Sequence, residues 1–261
     1  MAHRKRLRQS GVATSWDSVA AWYDGWVGDK GSKYHREVAI PALLDLLDPR
    51  AGEQVLDIGC GQGVLAPYVV TRGANYTGVD ASARLIALAR RRHAGIGKFL
   101  VADAAGLAHA AALPTASFDA CVFLLSIQDM APLEEIIASA ATMLIDKGRL
   151  VLLLPHPAFQ VPRQSGWGWD ERRRLRFRRV DRYLSRLAVP MGRKERRLLR
   201  RFHRPLGDYV SALGASGLVV RKLIEVPGHW ANAPPEQRAA TQRALAEFPL
   251  FLGLQAVRTP I

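Results

Sequence analysis

Long apolar runs are missing from this 261-residue chain: no stretch approaches the roughly 20 apolar residues needed to cross a bilayer, so no membrane span is expected. Cysteine is scarce. The two present, Cys60 in a glycine-rich loop and Cys121 in an apolar run, read as small buried residues and not as a disulfide pair. The basic N-terminus (Arg4, Lys5, Arg6, Arg8) is followed by polar residues where a secretion signal would carry an apolar stretch, so a cytoplasmic protein is expected. Internal repeats are absent. Disorder is excluded for most of the chain, because 49% of residues are apolar and 23% charged, as in ordinary globular domains. The length suits one large domain with a substantial core, or a core with a cap.

Acidic residues are the remaining shortage, 23 against 37 lysines and arginines, a net charge of +14. That excess is concentrated. Residues 171–204 carry fourteen arginines and Lys194 against Glu171, Asp181 and Glu195, a net +12, and the first eight residues add +4. The rest of the chain is close to neutral at −2, so the basicity belongs to one segment and one tail. Arginine density of this kind can neutralise phosphates, and Trp167, Trp169 and Phe177 in the wider segment 156–204 could stack on bases. It equally suits an anionic small substrate or a solvated face. The composition leaves all three open.

The strongest pattern is Val55-Leu56-Asp57-Ile58-Gly59-Cys60-Gly61-Gln62-Gly63, followed by the apolar run Val64–Val70. An apolar strand, a tight glycine turn and a helix start form the opening of a nucleotide-binding α/β unit. Gly59 and Gly61 would let backbone approach a ligand where a Cβ would collide. Asp57, two positions before the first glycine, would repel a pyrophosphate but favour a ligand bearing an ammonium and a sulfonium. A second strand, Tyr76-Thr77-Gly78-Val79, ends in Asp80, placed to accept from ribose hydroxyls or to close a strand-end turn. S-adenosylmethionine has a ribose and a cationic methionine end, and no phosphate.

The glycine block resembles the first motif of the class I S-adenosylmethionine-dependent methyltransferases, and Val79-Asp80-Ala81-Ser82 resembles the second. Val101-Ala102-Asp103-Ala104 is similar to the adenine-contacting turn, Ser117-Phe118-Asp119-Ala120 to the entry of the fourth strand, and Asp146-Lys147-Gly148-Arg149-Leu150 to the turn into the fifth. The likeness spans about residues 16–160 and 202–257. It implies S-adenosylmethionine as cofactor, no metal, and cofactor contacts at Asp57, Gly59, Gly61, Asp80, Ala81, Asp103 and Ala104. Asp103 is also suited to cap the following helix. The block Tyr34-His35-Arg36-Glu37 resembles the helix that small-molecule methyltransferases fold over the cofactor. Tyr23 and Tyr34 would close the methionine side. Arg36 would pair with the methionine carboxylate or lie on a solvated face.

Beyond the fourth strand the likeness weakens: Leu124 and Leu125 stand where relatives carry polar residues. Gln128 and Asp129 would face the methyl acceptor, with Asp129 a catalytic candidate beside His156 as base, although Asp129 could instead cap the helix beginning near Pro132. His156, just past the fifth strand, resembles the His-Pro of a group of these enzymes and is the candidate general base, or else a histidine bonded to a neighbouring carbonyl. His203 resembles the return from a lid and would act as its hinge, or as a second catalytic candidate.

Strands are expected at 54–58, 75–79, 98–101, 119–125 and 149–154, with helices at 63–72, 83–93 and 132–146. This alternation predicts a doubly wound parallel sheet. Val180, Tyr183, Leu184 and Leu187 follow helical spacing. A helix at 206–215 and strands at 218–226 and 250–257 complete the pattern. The resemblance makes this an α/β, seven-stranded, mostly parallel Rossmann-like methyltransferase fold. Residues 1–12 are read as a disordered basic arm and 13–50 as a helical cap. Residues 51–155 form the cofactor-binding core, 156–204 an inserted lid, and 205–261 the last part of the sheet. The expected function is methyl transfer to an O, N or C nucleophile of a small molecule. RNA methylation guided by the arginine-rich segment, or a non-catalytic cofactor-binding module, are the alternatives.

Overall fold

Buried β-branched and leucine-rich runs become strands, and the amphipathic segments between them become helices. The computed structural model describes residues 16–192, 199–228 and 233–259. The expected basic arm, 1–12, lies outside these residues. The chain opens with helix α1 (Ala20–Val27), then a π-helical turn (His35–Ala39) that runs into α2 (Ile40–Leu47). Next come β1 (Gln54–Ile58), α3 (Ala66–Val70), β2 (Asn75–Asp80), α4 (Ala83–Arg92) and β3 (Lys98–Val101). After a 3-10 turn (Ala104–His109) follow β4 (Phe118–Leu124), α5 (Leu133–Met143) and β5 (Leu144–Pro155). Four short strands come next, β6 (Ser165–Asp170), β7 (Leu175–Val180), β8 (Leu187–Pro190) and β9 (Arg200–His203). The chain returns through α6 (Leu206–Ala215), β10 (Leu218–Pro227), α7 (Arg238–Glu247) and β11 (Pro249–Arg258).

Seven strands form one sheet in the order β10-β11-β5-β4-β1-β2-β3, parallel except for β11, which runs antiparallel to both neighbours. This is the expected doubly wound, Rossmann-like sheet. Alternation along each strand divides the core. Leu56, Ile58, Phe123, Leu152 and Leu154 pack under α5 and α6, whereas Val55, Val122, Val151 and Leu153 pack under α2 to α4. Strands buried on both faces are the rule for parallel sheets, which explains their near-continuous apolar sequence.

Segment 156–204 forms two antiparallel hairpins, β6–β7 and β8–β9. Val180 to Leu187 is not helical, contrary to its spacing. Arg182 adopts a left-handed φ of 54°, which ends regular structure between the hairpins, and Leu184 is 80% exposed. Gly63, at φ +82°, delays the third helix to Ala66. Helix α7 was not anticipated, because its only strong apolar signal is Ala240, Ala244 and Leu245. No helix among the described residues is long and apolar enough to cross a membrane.

Candidate active site

The C-terminal ends of β1, β2, β4 and β5 open into one cavity of about 850 Å³, walled by the N-terminal helices on one side and segment 156–204 on another. Ligands of open α/β sheets bind at this edge. Gly59, Gly61, Asp80, Ala81, Asp103, Ala104, Tyr34 and Asp129 all line it. Asp57 and His156 do not.

The glycine loop is anchored from below: the N–H groups of Gly59 and Cys60 both donate to the Val79 carbonyl, at 2.8 and 3.0 Å. Gly59 and Gly61 take φ of +75° and +55°, a region other residues enter only with strain. At Gly61 an added Cβ would sit 3.4 Å from the Tyr23 ring. At Gly59 it would strike Ser126 and Met130, so the close approach there is made by the turn after β4.

Asp80 holds the two ligand-facing loops together. Its Oδ2 accepts from Gly61 N–H at 3.0 Å and its Oδ1 from Ser82 N–H at 2.8 Å. Burial raises its pKa, while those two bonds oppose the shift. Ser82 caps α4 through Leu85 N–H, and its own hydroxyl donates to Asp17 at 2.6 Å. Asp103 caps the following 3-10 turn, Oδ1 accepting from Ala105 N–H at 3.0 Å, while also facing the cavity. Its capping and lining roles coexist.

Asp57, expected at the mouth of the loop, lies beneath it. Its Oδ2 accepts from the Tyr76 hydroxyl at 2.6 Å, and its Oδ1 has no partner among the described residues. Burial raises its pKa to about 7, with Tyr76 opposing and Asp80 adding to the shift. Alternation along β1 explains the difference: Asp57 lies on the same sheet face as Val55, where the buried Tyr76 of β2 meets it.

The N-terminal helix is clamped onto α4 by Arg92, whose Nη2 lies 2.8 Å from Asp24 Oδ2 and 2.8 Å from Asp29 Oδ1. This brings Tyr23 over Gly61, where burial and the nearby Asp80, Asp129 and Asp57 push its phenol pKa up. Tyr34 stands at the rim. Arg36 donates to the Gly31 carbonyl and does not line the cavity.

On the far side, Asp129 Oδ1 meets Arg201 Nε at 3.2 Å and its Oδ2 accepts from Gln128 Nε2 at 3.1 Å. Burial raises the Asp129 pKa, and the two partners restrain it. Helix α5 has no side-chain cap, so Asp129 is not its N-cap. His156 is turned away from the cavity: Nδ1 accepts from Ala158 N–H at 3.2 Å, leaving Nε2 to donate to Glu225 Oε1 at 2.9 Å. Phe159 packs on its ring, and burial lowers its pKa. The candidate base from the sequence is therefore a strut between β5 and β10. His203 is likewise engaged, with Nε2 donating to the Tyr183 carbonyl at 2.7 Å. Trp167, considered as a base-stacking residue, packs on Phe248 with Arg178 5.2 Å from its ring centroid. Sequence reading missed Arg163, Arg178 and Arg201 as wall residues, since only the hairpin pairing shows which arginines turn inward.

A doubly wound sheet, a glycine loop after its first strand and a carboxylate closing its second define a nucleoside-binding α/β protein. The family profile described as a methyltransferase domain matches residues 56–152. The chain is 27% identical to a solved S-adenosylmethionine-dependent methyltransferase from Mesorhizobium loti, with a TM-score of 0.66 over 84% of this chain and 96% of that one. It is 33% identical over 144 residues to nocamycin O-methyltransferase of Saccharothrix syringae, covering 54% of this chain and 50% of that protein. It is 35% identical over 138 residues to ribosomal RNA small subunit methyltransferase C of Chromohalobacter salexigens, covering 49% and 39%. The chain thus spans half or less of the length of these curated relatives. Residues 56–152 thus match a methyltransferase domain, and the chain shares its fold with a solved S-adenosylmethionine-dependent methyltransferase.

Proposed function

We propose that the protein transfers a methyl group from S-adenosylmethionine to a nucleophile of a small molecule, in the cytoplasm. The observation that carries this is the cavity itself. It falls in the size range of small-molecule sites, about 300–1,000 Å³. Cofactor-type groups line one end of it, and segment 156–204 acts as a lid over the other. The residues fit the cofactor. Asp80, held by Gly61 and Ser82, keeps lone pairs for ribose hydroxyls, Asp103 and Ala104 form the adenine edge, and Tyr23 and Tyr34 flank the methionine side.

The cofactor supplies an activated methyl group when bound. The chain's contribution is alignment and exclusion of water, and good positioning can lower a barrier by about 7–11 kcal/mol. For a hydroxyl or ammonium acceptor, Asp129 takes the proton. It is the carboxylate between the cofactor end and the lid, and its burial raises its basicity. Arg201 and Gln128 hold its orientation. The competing RNA reading draws support from the ribosomal RNA relative and from exposed Arg172, Arg173 and Arg174 on the outer hairpin.

Methyl-labelled S-adenosylmethionine incubated with a metabolite extract and, separately, with total RNA distinguishes the two. Label is expected in small molecules and absent from RNA. Label in a defined RNA alone would transfer the assignment to nucleic acid, and no cofactor binding in calorimetry would remove methyl transfer altogether.

A further inference from the structure

Among the described residues, segment 156–204 brings three arginines to the cavity, Arg163, Arg178 and Arg201. Arg201 is neutralised by Asp129. The other two have no carboxylate partner among the described residues. Arg178 donates Nε to the Phe159 carbonyl at 2.8 Å, and Nη2 to Gln160 Oε1 and Ser165 Oγ, both at 3.1 Å. Arg163 donates Nη2 to the Pro190 carbonyl at 3.0 Å. All these acceptors are neutral, so both cations keep their full charge.

Arg163 is exposed and Arg178 half-buried. A partly buried cation without a counter-charge is costly, so an incoming anion relieves that cost at Arg178, with Arg163 adding its charge from the rim. Burial already lowers the Arg178 pKa. Apart from Asp129, which Arg201 pairs, the cavity carboxylates lie elsewhere: Asp80 ends β2 and Asp103 follows β3, at one side of the sheet. Arg163 and Arg178 line the cavity with Pro155 of β5 and Leu250 and Phe251 of β11, toward the other side. The cavity is acidic where the cationic cofactor would sit and basic where the acceptor enters. The same segment also lines the cavity with apolar Val161, Met191 and Phe202.

The geometry points to a methyl acceptor with an apolar body and one oxyanion head group, carboxylate or phosphate, seated by Arg163 and Arg178. This rests on the methyltransferase reading above and adds the substrate class. The bonds of Arg178 use Nε and Nη2 and leave Nη1 to donate, and a charge-assisted bond to an oxyanion is stronger than one to a neutral amide oxygen.

The test is calorimetry on the full chain with matched probes: 2-naphthoate, 2-naphthyl phosphate and 2-naphthamide, then decanoate, decyl phosphate and decanamide. Each is titrated with and without saturating S-adenosylhomocysteine. In at least one set an anion should bind about ten-fold or more tightly than its amide, a difference of 1.4 kcal/mol or more. Arg178→Gln and Arg163→Gln should each erode that preference, with circular dichroism and S-adenosylhomocysteine affinity unchanged. The carboxylate and phosphate arms identify which oxyanion is preferred. Amides binding as well as anions, a preference surviving both substitutions, or no binding by any probe would each overturn the inference. Titration of S-adenosylhomocysteine alone reads the methyltransferase proposal separately, so a failure of one is distinguishable from a failure of the other.

Discussion

Asp80 accepts the backbone N–H of Gly61 across 3.0 Å, so the carboxylate suited to a ribose also sets the shape of the glycine loop. Asp80→Asn replaces an acceptor with a donor facing the N–H of Gly61 or of Ser82. It should weaken S-adenosylhomocysteine binding by about 1.5–3 kcal/mol, the scale of a hydrogen bond to a charged group. Isothermal calorimetry reads this directly, and affinity within two-fold of the wild type would separate Asp80 from the cofactor.

Asp129 is the proposed base, and Arg201 tunes it. With a hydroxyl acceptor, Asp129→Asn should lower turnover by about 10²–10⁴ while leaving cofactor affinity unchanged. Arg201 holds the carboxyl pKa down, so Arg201→Met should move the acid limb of the pH–rate profile to higher pH. A profile that stays in place in Arg201→Met would make Asp129 a spectator.

His156 should behave as a structural residue. Its ring joins the Ala158 N–H to Glu225 and is covered by Phe159. His156→Ala should lower the melting temperature, with a loss of about 1–3 kcal/mol from the vacated contacts. Turnover at a temperature where the variant is folded should be near that of the wild type. A hundred-fold drop in turnover in a folded, cofactor-binding variant would restore the catalytic role.

Acid and alkali should act on the two buried groups with opposite signs. His35, beside the cavity, has its pKa lowered to about 4 by burial and by Arg36. Its folded pKa lies below the unfolded one, so stability is lost as pH falls from about 6.5 toward 4, by up to about 3 kcal/mol. Asp57, raised to about 7, is the reverse: its contribution falls as pH rises from about 4 through 7. Calorimetric melts should show a shallower acid limb in His35→Gln and a more stable protein above pH 7 in Asp57→Asn. Unchanged limbs in both variants would assign the pH dependence to other groups.

The local half of this molecule was legible in its residues. Apolar runs such as Val55–Ile58 and Leu150–Leu154 are buried on both faces and could only be inner strands, and the glycines that must adopt positive φ marked the ligand loop. Most candidate cofactor residues are strand-end positions, and a parallel sheet brings all such ends to one edge, so their convergence followed from topology. Asp57 and His156 show where this fails. Neighbours distant in sequence decide which way a side chain points: Tyr76 of β2 takes Asp57, and Glu225 of β10 takes His156. The helical spacing of Val180–Leu187 failed for the opposite reason, because hairpin pairing overrode a local pattern with no core to pack on.

The antiparallel β11 fills the gap between β5 and β10 and starts beside the cavity with Leu250 and Phe251. During synthesis the strands β1 to β5 emerge and can pair long before it. Until β11 arrives, the edge of β5 along Val151–Leu154 offers unpaired backbone groups on an apolar strand. The nascent chain therefore passes through a period in which its sheet is nearly complete, the Leu250 and Phe251 part of its acceptor wall is missing and its stickiest edge is bare. Chaperone dependence and the toll of truncation should both concentrate there.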